Sequence, residues 1–116
     1  MPGKLAAAKL KARPKIVVLV TCGSIREAER LAHALVHKRL AACVNILQTP
    51  VKSIYRWEGR VETAKEFLLL IKTSRANFPA LSREIQKLHS YDTPEIIALP
   101  ITAGSPAYLR WLTDSL

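Results

Sequence analysis

No apolar run in this chain approaches a bilayer crossing: Phe67 to Ile71 and Ile96 to Pro100 are among the longest, against the roughly 18 to 20 residues that a membrane helix needs. No membrane is expected as a partner. Catalytic templates are equally scarce, with no G-x-G-x-x-G, P-loop, H-E-x-x-H, G-x-S-x-G or C-x-x-C, so the residues specify no reaction and no organic cofactor. Only two cysteines occur, Cys22 and Cys43, too few for a disulfide framework and in keeping with a reduced, cytoplasmic compartment. The first 15 residues hold no acid and nothing closer to a signal-peptide core than Ala6 to Ala8. Export is therefore not expected, while import into an organelle through residues 1–15 stays open.

What is present describes one ordinary domain. The chain has 116 residues, 49% hydrophobic and 23% charged, which suits a single globular core and excludes coiled-coil, collagen-like or largely disordered classes. The net charge of +9 would suggest nucleic acid, but Lys4, Lys9, Lys11, Arg13 and Lys15 concentrate much of it in the first 15 residues. Removing those five from the 18 basic residues leaves 13 against 9 acidic from Ile16 onward. No basic stripe interleaved with aromatics follows, so residues 1–15 read as a basic, flexible, solvated tail, and no nucleic-acid partner is expected.

From Ile16 the hydrophobic pattern alternates between strand and helix. Ile16 to Val20 is a continuous aliphatic run, ended by Thr21 to Ser24, and reads as a strand covered on both faces. Ser24-Ile25-Arg26-Glu27 fits a capping box, and Ala28, Leu31, Ala32, Leu35 and Val36 continue at helical spacing toward Leu40. Ala41 to Trp57 then reads as one long strand bent at Pro50, joined through Glu58-Gly59-Arg60 to a second extended arm, Val61 to Lys72. Phe78, Leu81, Ile85 and Leu88 mark a second amphipathic helix with Pro79 in its first turn, Pro94 to Ile101 a further strand, and Ser105-Pro106 the start of a short C-terminal helix.

The order β-α-β-β-α-β points to an α+β, ferredoxin-like sandwich with both long helices on one face of a four-stranded antiparallel sheet. Each hairpin arm approaches 12 residues, about twice a typical strand. The ribbon must project beyond the sheet, and Tyr55 and Trp57 on it call for a neighbouring subunit as cover. A homo-oligomer follows, with Trp57, Tyr55 and Trp111 as its expected interface anchors.

Several residues admit both a chemical and a packing role. Cys22 and Cys43 can be small buried hydrophobes or soft ligands for copper. His33 and His37, four apart, can share a metal or simply sit on a helix surface. His89 is followed by Tyr91, Asp92 and Glu95, a set able to hold a divalent ion, although a histidine there also suits the negative end of a helix. Lys72 can meet Glu66 or Glu95 in a cleft, or remain solvated at a strand end.

Read in order, Leu40-Ala41-Ala42-Cys43-Val44-Asn45-Ile46, Ser53-Ile54-Tyr55-Arg56-Trp57-Glu58-Gly59, Ile71-Lys72-Thr73, His89-Ser90-Tyr91-Asp92-Thr93-Pro94-Glu95 and Tyr108-Leu109-Arg110-Trp111 resemble the CutA family of divalent-cation tolerance proteins. The resemblance runs over residues 16–116. It implies a tight homotrimer similar to PII-type signalling proteins, no enzymatic activity, and a link to divalent metals, Cu2+ above all and Zn2+ less. On the family's motifs, Cys43, His89 and Glu95 are the expected metal ligands, with Tyr91, Lys72, Trp57 and Tyr55 around the cleft. Ser90 stands where the family motif usually has proline, which loosens the loop presenting His89. The rival expectation is a signalling or scaffold trimer whose inter-subunit clefts hold a small anion, with Lys72 and Arg75 as contacts, or a protein partner.

Overall fold

The computed structural model describes residues 14–116; of the basic stretch only Pro14 and Lys15 fall within it, and Lys15 is already the first residue of β1 (Lys15–Cys22). Side chains alternate along a strand, so Ile16, Val18, Val20 and Cys22 share one face, and all four are buried. Against them pack α1 (Ile25–His37), through Ala28, Leu31 and Leu35, and α2 (Phe78–Leu88), through Leu81 and Ile85.

β2 (Cys43–Ile46) and β3 (Val51–Trp57) replace the single bent strand expected from the sequence. The break spans residues 47–50 and ends in Pro50, which has no N–H to give a ladder. Both strands pair antiparallel with β4 (Arg60–Ser74), whose 15 residues run the length of sheet and ribbon. The sheet order is β2-β4-β1-β5, with β3 continuing along β4 and β5 (Ile96–Pro100) at the other edge. This is the ferredoxin-like arrangement, with five strands because the second arm is split. α3 (Pro106–Asp114) closes the chain; Ser105 Oγ caps it by accepting the Tyr108 N–H at 3.3 Å.

Two turns rest on left-handed backbone. At the ribbon tip Glu58 and Gly59 have φ of 50° and 78°, as a two-residue turn joining twisted strands requires. α1 stops at His37, short of the expected Leu40. Arg39 takes φ 57°, and the N–H groups of Arg39 and Leu40 return to the carbonyls of Val36 and Leu35 at 3.1 and 3.0 Å. That closing pattern usually carries glycine. Here Thr73 Oγ1, donating to the Leu40 carbonyl at 2.7 Å, and Asn77 Nδ2, donating to that of Arg39 at 3.4 Å, fasten it.

The face opposite the helices is also apolar. Strand register aligns Val17 with Leu99 and Leu19 with Ile97 on one side, and Leu19 with Leu70 and Thr21 with Leu68 on the other. Ile97 and Leu99 are each 50% exposed, and Ile54 and Val61 on the ribbon 66%. The molecule measures 59 × 27 × 24 Å, the ribbon accounting for its elongation. No helix among the described residues is long and apolar enough to cross a membrane.

Candidate functional site

Where the ribbon leaves the sheet, a cavity of about 620 Å³ opens. Its floor is Thr21 of β1 and Glu66 of β4, one wall is Ser53, Ile54, Tyr55 and Trp57 of β3, and the other is the loop Tyr91, Asp92, Thr93 and Glu95 between α2 and β5. A floor at a strand end, a ribbon wall and a loop wall bring distant segments into one concave surface, the usual anatomy of a ligand site. Among the described residues three carboxylates line it and no lysine or arginine does.

The loop wall is held by His89, which caps the C-terminal end of α2. Its backbone N–H bonds the Ile85 carbonyl at 2.8 Å. The ring turns inward: Nδ1 accepts the Tyr91 N–H at 3.0 Å, so Nε2 carries the proton and donates to the Thr21 carbonyl at 2.8 Å. Tyr91 stacks at a tilt on His89, with centroids 4.7 Å apart. Its phenol is pushed up to about 12, first by burial and then by the Glu66 carboxylate. A Cβ on Gly23 would stand 3.1 Å from Tyr91 Oη, so any side chain there would press on the ring, which would have to give by a few tenths of an ångström.

Sequence-based expectations for the ligands divide accordingly. Glu95, Tyr91, Trp57 and Tyr55 line the cleft together. His89 lies beneath it, 8% exposed, with both ring nitrogens engaged. Cys43 belongs to a second, smaller pocket of about 350 Å³ beside Glu29 and His33. Its sulfur lies 3.5 Å from Tyr108 Oη, a hydrogen bond that raises the Tyr108 phenol above its ordinary range. Within the protomer the structure therefore does not bring His89, Glu95 and Cys43 together.

Lys72 pairs in register with Val17 and Cys43, six residues along β4 from Glu66, or about 20 Å at strand rise. It does not line the cleft, and neither does Arg75. Trp111 sits on α3, packed on Tyr108 at 5.4 Å and 45% exposed. His33 and His37 stack on the surface with centroids 6.2 Å apart.

One group of residues escaped the sequence reading. Ser24 Oγ does accept the Glu27 N–H at 3.1 Å, the first half of the capping box, but the Glu27 carboxylate does not reach back to the cap. It turns inward, 7% exposed, and Oε2 accepts the Ser90 N–H at 3.1 Å. Cys22 lies beside it, its thiol pushed up to about 12 by burial and then by that carboxylate. Folded protein at pH 8 is therefore expected to leave Cys22 unalkylated, with modification appearing only in denaturant. Peptide mapping after iodoacetamide treatment checks this; rapid native modification would mean that the thiol is reachable.

Comparison with known proteins gives one consistent answer. Residues 16–115 match the family model described as CutA1 divalent ion tolerance protein. The chain is 50% identical over 99 residues to the divalent-cation tolerance protein CutA of Thermus thermophilus, covering 85% of this chain and 95% of that one. It is 46% identical over 105 residues to the chloroplastic protein CutA of Arabidopsis thaliana, covering 90% of this chain but spanning only 57% of that relative. The solved structure of CutA1 from Oryza sativa superposes with a TM-score of 0.85 at 46% identity, covering 89% of this chain and 94% of that one.

Proposed function

The chain belongs to the CutA1 divalent ion tolerance family, and from that premise we propose that it binds a divalent cation, Cu2+ first, in the carboxylate-lined cleft of a non-enzymatic homotrimer. The observation that carries this reading is the lining itself: Glu66, Asp92 and Glu95, with no basic residue, in a chain of net charge +9. Oxygen donors of this kind fit a divalent ion, and across oxygen and nitrogen donor sets affinity rises toward Cu2+ and falls again at Zn2+. Glu95 is the family-motif ligand that faces the cleft; Asp92 and Glu66 join it. An anionic ligand would meet three carboxylates there and no cation.

The assembly supports the same reading. The bare outer sheet face and the apolar ribbon suit burial between copies, and a ribbon from one protomer can then close the cleft of another. Two free thiols suit a reducing compartment, which is the basis for placing the protein in the cytoplasm.

The test is calorimetric titration of Cu2+, Zn2+ and Mg2+ into the full chain. Saturable, copper-preferring binding near one ion per chain is expected. Glu95→Gln and Asp92→Asn should each weaken it about tenfold, or roughly 1.4 kcal/mol. Unselective binding, or copper affinity unchanged in both variants, overturns the assignment.

A further inference from the structure

Below the cleft lies a second cluster that the cation reading above does not use. Cys22 at the end of β1, Glu27 in the first turn of α1 and His89 at the end of α2 each offer a ligand atom, all within 4.8 Å of one another. All three are buried, at 0%, 7% and 8% exposure. Glu27 Oε1 is buried with no N–H or O–H donor on it, the weakly donating Cys22 thiol being its neighbour, while its sister Oε2 holds the Ser90 N–H. Folded proteins rarely leave a buried carboxylate oxygen without a donor or a cation. The cation nearest to hand, Arg30, approaches Oε2 instead, at 3.9 Å from a side chain that is 63% exposed.

We propose that Cys22, Glu27 and His89 form a buried site for one divalent cation of the zinc class, separate from the cleft. Sulfur, oxygen and imidazole nitrogen are the donor types of tetrahedral zinc, and three protein ligands leave a fourth position for water. Bonds of about 2.0 to 2.3 Å at the tetrahedral angle set donors about 3.4 to 3.6 Å apart, so side-chain rotations must draw these three in from separations of up to 4.8 Å. Charge selects the ion. One thiolate and one carboxylate cancel a divalent cation, whereas a monovalent ion would leave a net charge buried.

Loading exchanges a proton for the metal: the Cys22 S–H bond breaks, a metal–sulfur bond forms, and the proton leaves to solvent. A coordinating ion deprotonates a thiol outright. His89 contributes one ring nitrogen and gives up one of its two hydrogen bonds. The bond given up is the one Nδ1 accepts from the Tyr91 N–H, while the Ser90 N–H stays on Glu27 Oε2, so the occupied site would hold the loop that walls the cleft through Ser90.

Cobalt(II) titration of the chelator-treated full chain tests this, because a cobalt–thiolate bond gives an intense near-ultraviolet charge-transfer band. The band should saturate at one Co2+ per chain, ions in the cleft adding nothing to it because, among the described residues, that lining holds no thiol, and Zn2+ should abolish it. The band should vanish in Cys22→Ser, appear with affinity lowered about tenfold or more in Glu27→Gln, and persist in Cys43→Ser and Glu95→Gln. The last variant separates this site from the cleft. In wild-type protein under mild denaturant, which needs no variant to fold, Zn2+ should slow alkylation of Cys22. Absence of the band, its survival in Cys22→Ser, or no protection of Cys22 by Zn2+ overturns the proposal.

Discussion

If the proposed homotrimer is built on its bare sheet face, Ile97→Glu is expected to dissociate it, lowering the mass measured by light scattering from three chains to the 12.9 kDa of one. Ile97 lies on edge strand β5, opposite Leu19 in register and 50% exposed in the protomer. With Val17, Leu70 and Leu99 it makes the sheet face that the helices leave bare. Burying an isoleucine side chain fully contributes roughly 1.5 to 3 kcal/mol, so covering the exposed half of Ile97 is worth about half of that, which a closed trimer would collect from every copy. The substitution removes this contribution and brings a carboxylate from each chain into one apolar interior, at a cost on the order of several kcal/mol per ion. Gln86→Glu, on an exposed position of α2, adds the same charge and should leave the mass unchanged. A trimer that survives Ile97→Glu has its contacts on the ribbon and not on this face.

Local patterns in the sequence located the elements wherever local chemistry decided them. α2 runs from Phe78 to Leu88, the span marked by the 3, 4, 3 spacing of its apolar residues and by a proline that the first turn tolerates. The end of α1 was not legible in the same way. A helix stop usually announces itself with glycine, whereas here Arg39 takes the left-handed conformation and is held by Thr73 and Asn77, residues far along the chain. The split of β2 from β3 was half visible: Pro50 marked the place, but a bend and a break read alike when only one strand of the pair is considered.

The cleft and the buried cluster separate for a related reason. Tyr91, Asp92 and Glu95 are close in sequence, so a short motif exposes them together, while the contacts that turn His89 and Glu27 inward span 68 and 63 residues. No window of helical length contains them. One signal was nevertheless present. Glu27, Leu31 and Leu35 are four apart, which places the carboxylate on the same stripe of α1 as its buried leucines. A capping-box glutamate belongs at the helix entrance near solvent; a glutamate that also begins the core stripe is pointed at the interior.

That stripe also makes Leu35→Ala a costly core substitution. Leu35 is fully buried, within the cluster that joins α1 to β1, β4 and α2, and its carbonyl receives the Leu40 and Ala41 N–H groups at 3.0 and 3.2 Å as the helix ends. Truncation leaves a cavity beneath that turn. Leucine-to-alanine changes in such positions destabilise by about 2 to 5 kcal/mol, a large share of the roughly 5 to 15 kcal/mol that holds a domain together. Urea unfolding should show it as a lower midpoint with little change in slope. Association stabilises the native state by mass action, so both proteins must be compared at one chain concentration. Val36→Ala, at a neighbouring position that is 41% exposed, should cost well under half as much. Equal losses at the two positions would mean that α1 seats on the sheet with a different face, and the inward course of Glu27 would fall with it.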